Sequence, residues 1–272
     1  MDSTVSRKRR PSEAPTTTAP ASDAPHDPWA PLRQLTAARI GLARSGASLA
    51  TQPLLDFRLA HARARDAVHE PLDQARLVAD LAELGLPVLT VASLVEDRQH
   101  YLMRPDLGRR LTAAAEAALA PYGSREHDVV FVVADGLSAR AVQSHAAPLL
   151  AQALPALRTE GWRIAPLVVA RHARVAIGDP IAAAVRADIV AVLIGERPGL
   201  SAPDSMGAYL TWQPGSQSTD ADRNCISNIR PEGVGYADAA FTLLHLLRAM
   251  RSHRLSGVRL KDDSDRLLIR DR

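Results

Sequence analysis

The apolar pattern changes character partway along the chain. Up to about Leu84 the apolar residues recur at helical spacing, and from Val129 onward they gather in short unbroken runs. In the first stretch Thr51 is a candidate N-cap and Pro53 sits near a helix start. Leu54, Phe57, Ala60, Ala64 and Ala67 then follow three and four positions apart. A second helix is predicted over residues 72–84, with Gly85 placed to close it in a left-handed conformation. After a short apolar stretch at residues 87–91, a third helix is predicted over 105–120.

The runs begin at residues 129–133, Val-Val-Phe-Val-Val, followed by Ala134, Asp135 and Gly136 and an amphipathic helix to about Leu157. The unit repeats with a run at 164–169, a helix over 180–187 and a run at 189–194. Unbroken apolar runs separated by helices suit strands buried on both faces, so the expected fold class is α/β with a doubly wound parallel sheet. Residues 208–212 read as a further strand. Residues 236–253 read as a closing helix with Phe241, Leu244, Leu247 and Met250 on one side.

The expected organisation is a disordered tail at 1–27, a helical N-terminal region at 28–120 for packing or subunit contact, the α/β core at 121–258, and a charged C-terminal tail at 259–272. The first tail is rich in Pro, Thr, Ala and Ser, too poor in large apolar side chains to offset the entropy of ordering.

A chain of 272 residues allows one sizeable core and an appendage. Aromatic residues are only 4%, so the core must be aliphatic. The net charge of +3 comes from arginines interleaved with carboxylates, and the one basic run, Arg7-Lys-Arg-Arg10, has no aromatics around it on which bases would stack. Nucleic acid is therefore not an expected partner. Nor is a membrane, since no apolar stretch is long enough to span one and the N-terminus lacks the apolar middle of a signal peptide. The single cysteine, Cys225, rules out an intrachain disulfide and a cysteine-rich zinc site, and fits a reducing compartment.

Three short segments stand out as pocket walls: Arg174-Val-Ala-Ile-Gly-Asp179, Leu193-Ile-Gly-Glu-Arg-Pro-Gly-Leu200 and Arg223-Asn-Cys-Ile-Ser-Asn-Ile229. Each reads as a loop beside a β-branched run, where open α/β sheets bind ligands. Each also has a plainer reading. Asp135 and Asp179 are good helix caps, and Pro180 suits a first helical position. Glu196 and Arg197 would make a surface pair worth little. Cys225 would be one more buried, inert thiol.

Several chemistries are missing. There is no Gly-x-Gly-x-x-Gly after a strand, no Gly-x-x-x-x-Gly-Lys-[Ser/Thr], no Gly-x-Ser-x-Gly and no His-Glu-x-x-His. The chain carries no recognisable catalytic centre of its own.

Together with Arg39-Ile-Gly-Leu-Ala-Arg-Ser-Gly46, residues 55–69, Val132-Val-Ala-Asp-Gly-Leu-Ser-Ala139 and Ser205-Met-Gly-Ala-Tyr209, these segments closely resemble the small (light) subunit of ethanolamine ammonia-lyase over residues 32–258. The resemblance implies a Rossmann-like core that supplies part of an adenosylcobalamin site, with Val175, Glu196 and Cys225 as the cofactor contacts. It also implies a TIM-barrel large subunit that holds substrate, in a hetero-oligomer. In that family, homolysis of the cobalt–carbon bond gives a 5′-deoxyadenosyl radical, and ethanolamine is converted to acetaldehyde and ammonia. The chain lacks Asp-x-His-x-x-Gly, so the lower cobalt ligand is expected to be the cofactor's own dimethylbenzimidazole, the base-on form.

Some members carry an N-terminal amphipathic helix that directs them to a bacterial microcompartment. Residues 1–27 show no such apolar face, which favours a plain cytoplasmic location. The alternative reading is a stand-alone carrier of a corrinoid or nucleotide.

Overall fold

The structure, a computed structural model, describes residues 27–264 apart from Ala37 and Ala43. The tail expected at 1–27 thus lies outside the described residues except for Asp27, as does the C-terminal tail beyond Ser264.

The chain forms two units, Met1–Pro53 and Leu54–Arg272. In the first, a short helix α1 (Ala30–Arg33) precedes an antiparallel hairpin of β1 (Arg44–Ser45) and β2 (Ser48–Leu49). Arg33 pairs with Asp27 and donates to the Gly41 carbonyl at 2.8 Å.

Helix α2 (Thr51–His69) starts at the residue expected to open it and buries Ala64 and Ala67. Helix α3 (Gln74–Ala82) is capped by Asp73, which accepts the Arg76 N–H at 3.1 Å, and Gly85 follows it at φ +72°. A further helix, α4 (Arg98–Met103), is capped by Asp97.

The predicted helix over 105–120 is broken. Leu107–Arg109 is a single 3₁₀ turn, Leu111 bridges Ser93, and Thr112 restarts the chain as α5 (Ala113–Leu119) by accepting the Ala115 N–H at 3.1 Å. Three consecutive alanines with an N-cap before them explain that restart.

Six strands make the sheet: β3 (Val88–Ala92), β4 (His127–Ala134), β5 (Leu167–Arg171), β6 (Ala187–Gly195), β7 (Met206–Trp212) and β8 (Asn224–Ile229), in the order β3-β5-β4-β6-β7-β8. Neighbours from β3 to β6 pair in parallel, as a Rossmann-like α/β sheet requires. The alternation of side chains along β4 feeds two cores at once. Val129, Phe131 and Val133 pack under α3, α6 (Ala139–Thr159) and α8 (Tyr236–His253), and Val130, Val132 and Ala134 pack under α5 and α7 (Gly178–Val185).

Further features differ from the sequence reading. Strand β3 coincides with the short apolar stretch at 87–91, placed by the sequence reading in the helical N-terminal region, and makes one edge of the sheet, so the sheet draws on a strand from before residue 120. Strands β7 and β8 are antiparallel to β6 and to each other. Only residues 196–205 join β6 to β7, too short a link for the crossover that a parallel strand needs. Finally, the segment from Arg223 to Ile229, read as a loop, is largely the edge strand β8. Its alternation is hidden because only Ile226 and Ile229 turn inward. At the C-terminus Leu260 and Ser264 are buried, so packing continues past the expected end of the core at 258.

One buried polar contact joins α6 to α8. His145 Nδ1 lies 2.7 Å from the Tyr236 hydroxyl, and its Nε2 is buried without a hydrogen-bond partner. Burial lowers the imidazole pKa below its ordinary 6.5, although Asp204 and Glu232 pull it up. The folded chain thus resists the proton that the unfolded chain accepts. Stability from this group is present above about pH 6.5 and is lost as pH falls below it. The stability advantage of the native chain over His145→Gln should therefore hold constant above about pH 7 and shrink on acidification, as read from denaturation midpoints.

Candidate functional site

The carboxyl ends of β4, β5 and β6 share one edge of the sheet. The chain leaves β4 for α6 on one face and leaves β5 for α7 on the other. Neighbouring loops that part in this way open the crevice where α/β sheets take ligands.

Asp135 secures the floor of that crevice. It does not cap α6, whose N-cap is Ser138. Its carboxylate instead accepts N–H bonds from Gly136 at 3.0 Å, His172 at 2.9 Å and Ala173 at 3.0 Å, tying the end of β4 to the loop after β5. Burial raises its pKa, and the His172 and Ala173 N–H bonds oppose that rise. Gly136, at φ +57°, and Gly195 bring two backbones together. A Cβ on Gly136 would stand 2.3 Å from the Gly195 oxygen, and one on Gly195 would stand 2.0 Å from the Ser138 oxygen.

Above this floor lies a cavity of about 380 Å³. Val175 and Glu196 both line it, with Tyr101, Arg174 and Tyr209. Cys225 is the cross-strand partner of Tyr209, and the Tyr209 hydroxyl reaches its thiol. The three residues singled out in the sequence are thus gathered at one place: two on the cavity wall and the third one strand behind it.

Glu196 makes no ion pair with Arg197. Its carboxylate accepts from the hydroxyls of Ser205 and of Ser227, the latter at 2.6 Å, and from the Asn228 N–H at 3.3 Å. It braces the β6–β7 link against β8. A carboxylate has about four acceptor positions, so these three donors leave it room for one more.

Cys225 is exposed, which overturns the buried-thiol reading. Desolvation of its sulfur nevertheless raises its pKa, the reverse of an activated thiol. Val175 opens a 3₁₀ turn directly before α7 and is half-buried.

Asp179 sits in the first turn of α7, where both its oxygens are taken by Arg223 at 2.8 and 2.7 Å. Arg223, with a side chain only 2% exposed, holds Thr211 as well, at 3.0 Å. This pair bolts α7 to the antiparallel end of the sheet, a link between two of the predicted pocket segments.

Arg174 and Tyr101 were missed as site residues. The guanidinium of Arg174 lies 4.0 Å from the Tyr101 ring centre and donates to the Tyr101 carbonyl at 3.0 Å, while its Nε is buried with no partner. Arg174 directly precedes Val175, so its segment was in view. Nothing local to Tyr101 points to a site 73 positions away.

The model of the ethanolamine ammonia-lyase light chain family matches residues 26–261. A Pseudomonas aeruginosa protein named ethanolamine ammonia-lyase small subunit is 50% identical over 242 residues, covering 88% of this chain and 89% of its own. Proteins of the same name from Ralstonia nicotianae and Rhodopseudomonas palustris are 50% and 54% identical, covering 88% and 86% of this chain and 90% and 89% of theirs.

Proposed function

Because the chain belongs to the ethanolamine ammonia-lyase light chain family, we propose that it is the small subunit of an adenosylcobalamin-dependent lyase that converts ethanolamine to acetaldehyde and ammonia. In this reading it forms one wall of the cobalamin site and works with a large subunit that holds the substrate. The observation that carries the reading is the cavity at the carboxyl edge of the sheet, where Val175 and Glu196 meet and Cys225 stands behind Tyr209.

The donor set fits the cofactor. A corrin ring is fringed with amides, which offer both N–H donors and carbonyl acceptors. Glu196 keeps an acceptor position for an amide N–H. Val175 gives apolar contact, and the Gly136–Gly195 approach keeps the floor free of side chains. Cys225 contributes close contact only, since its thiol is held protonated.

At about 380 Å³ the cavity is smaller than a corrinoid with its nucleotide tail, which suits a site shared with a second protein. When bound, the cofactor supplies the radical chemistry, and this chain binds it, orients it and keeps water away. We place this work in the cytoplasm, in keeping with a single free cysteine.

Co-expression with a large subunit, followed by gel filtration read at the corrinoid absorbance, tests the assignment. Corrinoid confined to a mixed complex is the expected result. A monomer that takes up cobalamin unaided would make the chain a carrier instead. In the complex, Glu196→Ala should weaken cobalamin affinity by about tenfold, the worth of one hydrogen bond to a charged group. Glu196→Gln, which can still brace Ser205 and Ser227, should retain most of it. Unchanged affinity in the alanine variant would remove Glu196 from the site.

A further inference from the structure

A second cavity, of about 400 Å³, lies beyond Val175 and shares Arg174 and Val175 with the first. Its chemistry is different. Three arginines line it, Arg109, Arg174 and Arg223, with Thr219 and a single acidic residue, Asp220.

Two of these cations are uncompensated. Among the described residues neither Arg109 nor Arg174 forms an ion pair. They are held side by side by the backbone. The Arg174 N–H donates to the Gly108 carbonyl at 2.8 Å, and Gly108 packs so closely that a Cβ there would stand 2.9 Å from Arg174 Cγ.

The third arginine adds an unmet donor. The Arg223 side chain is 2% exposed, yet its Nε has no hydrogen-bond partner and comes only within 3.7 Å of Asp220. The Arg174 Nε is likewise buried and unpartnered. Packing of Arg174 on Tyr101 accounts for the face of its guanidinium and one terminal nitrogen, and leaves the Nε unexplained. Buried donors left unmade are costly, and a bound anion would satisfy them.

We propose that this arginine-lined cavity is an anion subsite that takes the phosphodiester of the nucleotide loop of cobalamin. The inference rests on the cofactor reading of the neighbouring cavity. A base-on cobalamin carries its phosphate on the arm that leaves the corrin edge, and the shared Arg174 and Val175 make the two cavities neighbours. Arg109 and Arg174 supply the charge.

The test compares cyanocobalamin with cobinamide, a corrinoid that lacks the nucleotide loop, in equilibrium binding to the complex with the large subunit. Arg109→Gln, at an exposed residue that lines this cavity and not the first, should lose about tenfold in cyanocobalamin affinity, the scale of a charge-assisted hydrogen bond, and keep its cobinamide affinity. Arg109→Lys, which keeps the charge, should retain most of the cyanocobalamin affinity. Equal losses for both corrinoids, or no loss for either, would overturn the subsite.

Inorganic phosphate should compete with cyanocobalamin and not with cobinamide. Phosphate that binds the complex without displacing cyanocobalamin would assign the cavity to a free anion and overturn the cofactor assignment. A native complex that takes up neither corrinoid would overturn the cofactor reading itself, and this subsite with it.

Discussion

Asp179→Ala is expected to destabilise the chain by roughly 3–5 kcal/mol, the cost of leaving one member of a buried ion pair alone. The residue it strands is Arg223, whose charge would remain almost wholly out of water with only Asp220, 3.7 Å away and exposed, for compensation. The loss comes from the orphaned charge more than from a large net gain in the intact pair. Replacing both residues together, with Asp179→Leu and Arg223→Met, should therefore recover most of the stability. Urea denaturation of the two single variants and the double variant would check this. A double variant as unstable as the sum of the singles would refute the account.

Gly195→Ala should be nearly as severe. The added methyl would fall 2.0 Å from the Ser138 carbonyl oxygen and 2.7 Å from that of Asp135, and both obstacles are backbone. No side chain can swing aside. Either β6 or the turn into α6 must move, which places the cost at or above the upper end of the roughly 1–3 kcal/mol usual for overpacking. Because that turn floors the cavity proposed to take the corrinoid, cobalamin affinity in the assembled complex should fall together with the thermal midpoint. A variant with native stability and weakened binding would mean that only the cavity had deformed.

The parallel part of the sheet was legible because its strands are buried on both faces. Runs such as residues 129–133 have no polar position to blur them. Helix α8 was legible for the opposite reason, with a clean apolar stripe over residues 236–253. Strand β8 was not, since an edge strand at a sheet's exposed margin needs few apolar residues, and Asn224, Cys225, Ser227 and Asn228 read as loop chemistry. The helix over 105–120 failed because a bridge between Leu111 and Ser93 outweighs local propensity.

Val175, Glu196 and Cys225 were singled out from segment chemistry and resemblance, and the structure brings them to one end of the sheet. What joins them was not visible. Asp135 and Asp179 both suited the role of helix cap, and whether an aspartate caps its own helix or binds a distant loop is decided by tertiary partners, His172 and Ala173 in one case and Arg223 in the other.

The antiparallel turn of the sheet after β6 also shapes the order of assembly. Ile194 pairs with Gly207, 13 positions on, whereas Val88 must find Leu167, 79 positions on. Closing the longer loop costs about 1.6 kcal/mol more in chain entropy. The strands that carry Glu196 and the wall beside Cys225 therefore meet through the most local contacts of the sheet, and the edge made by β3 is the last and most entropically expensive to dock.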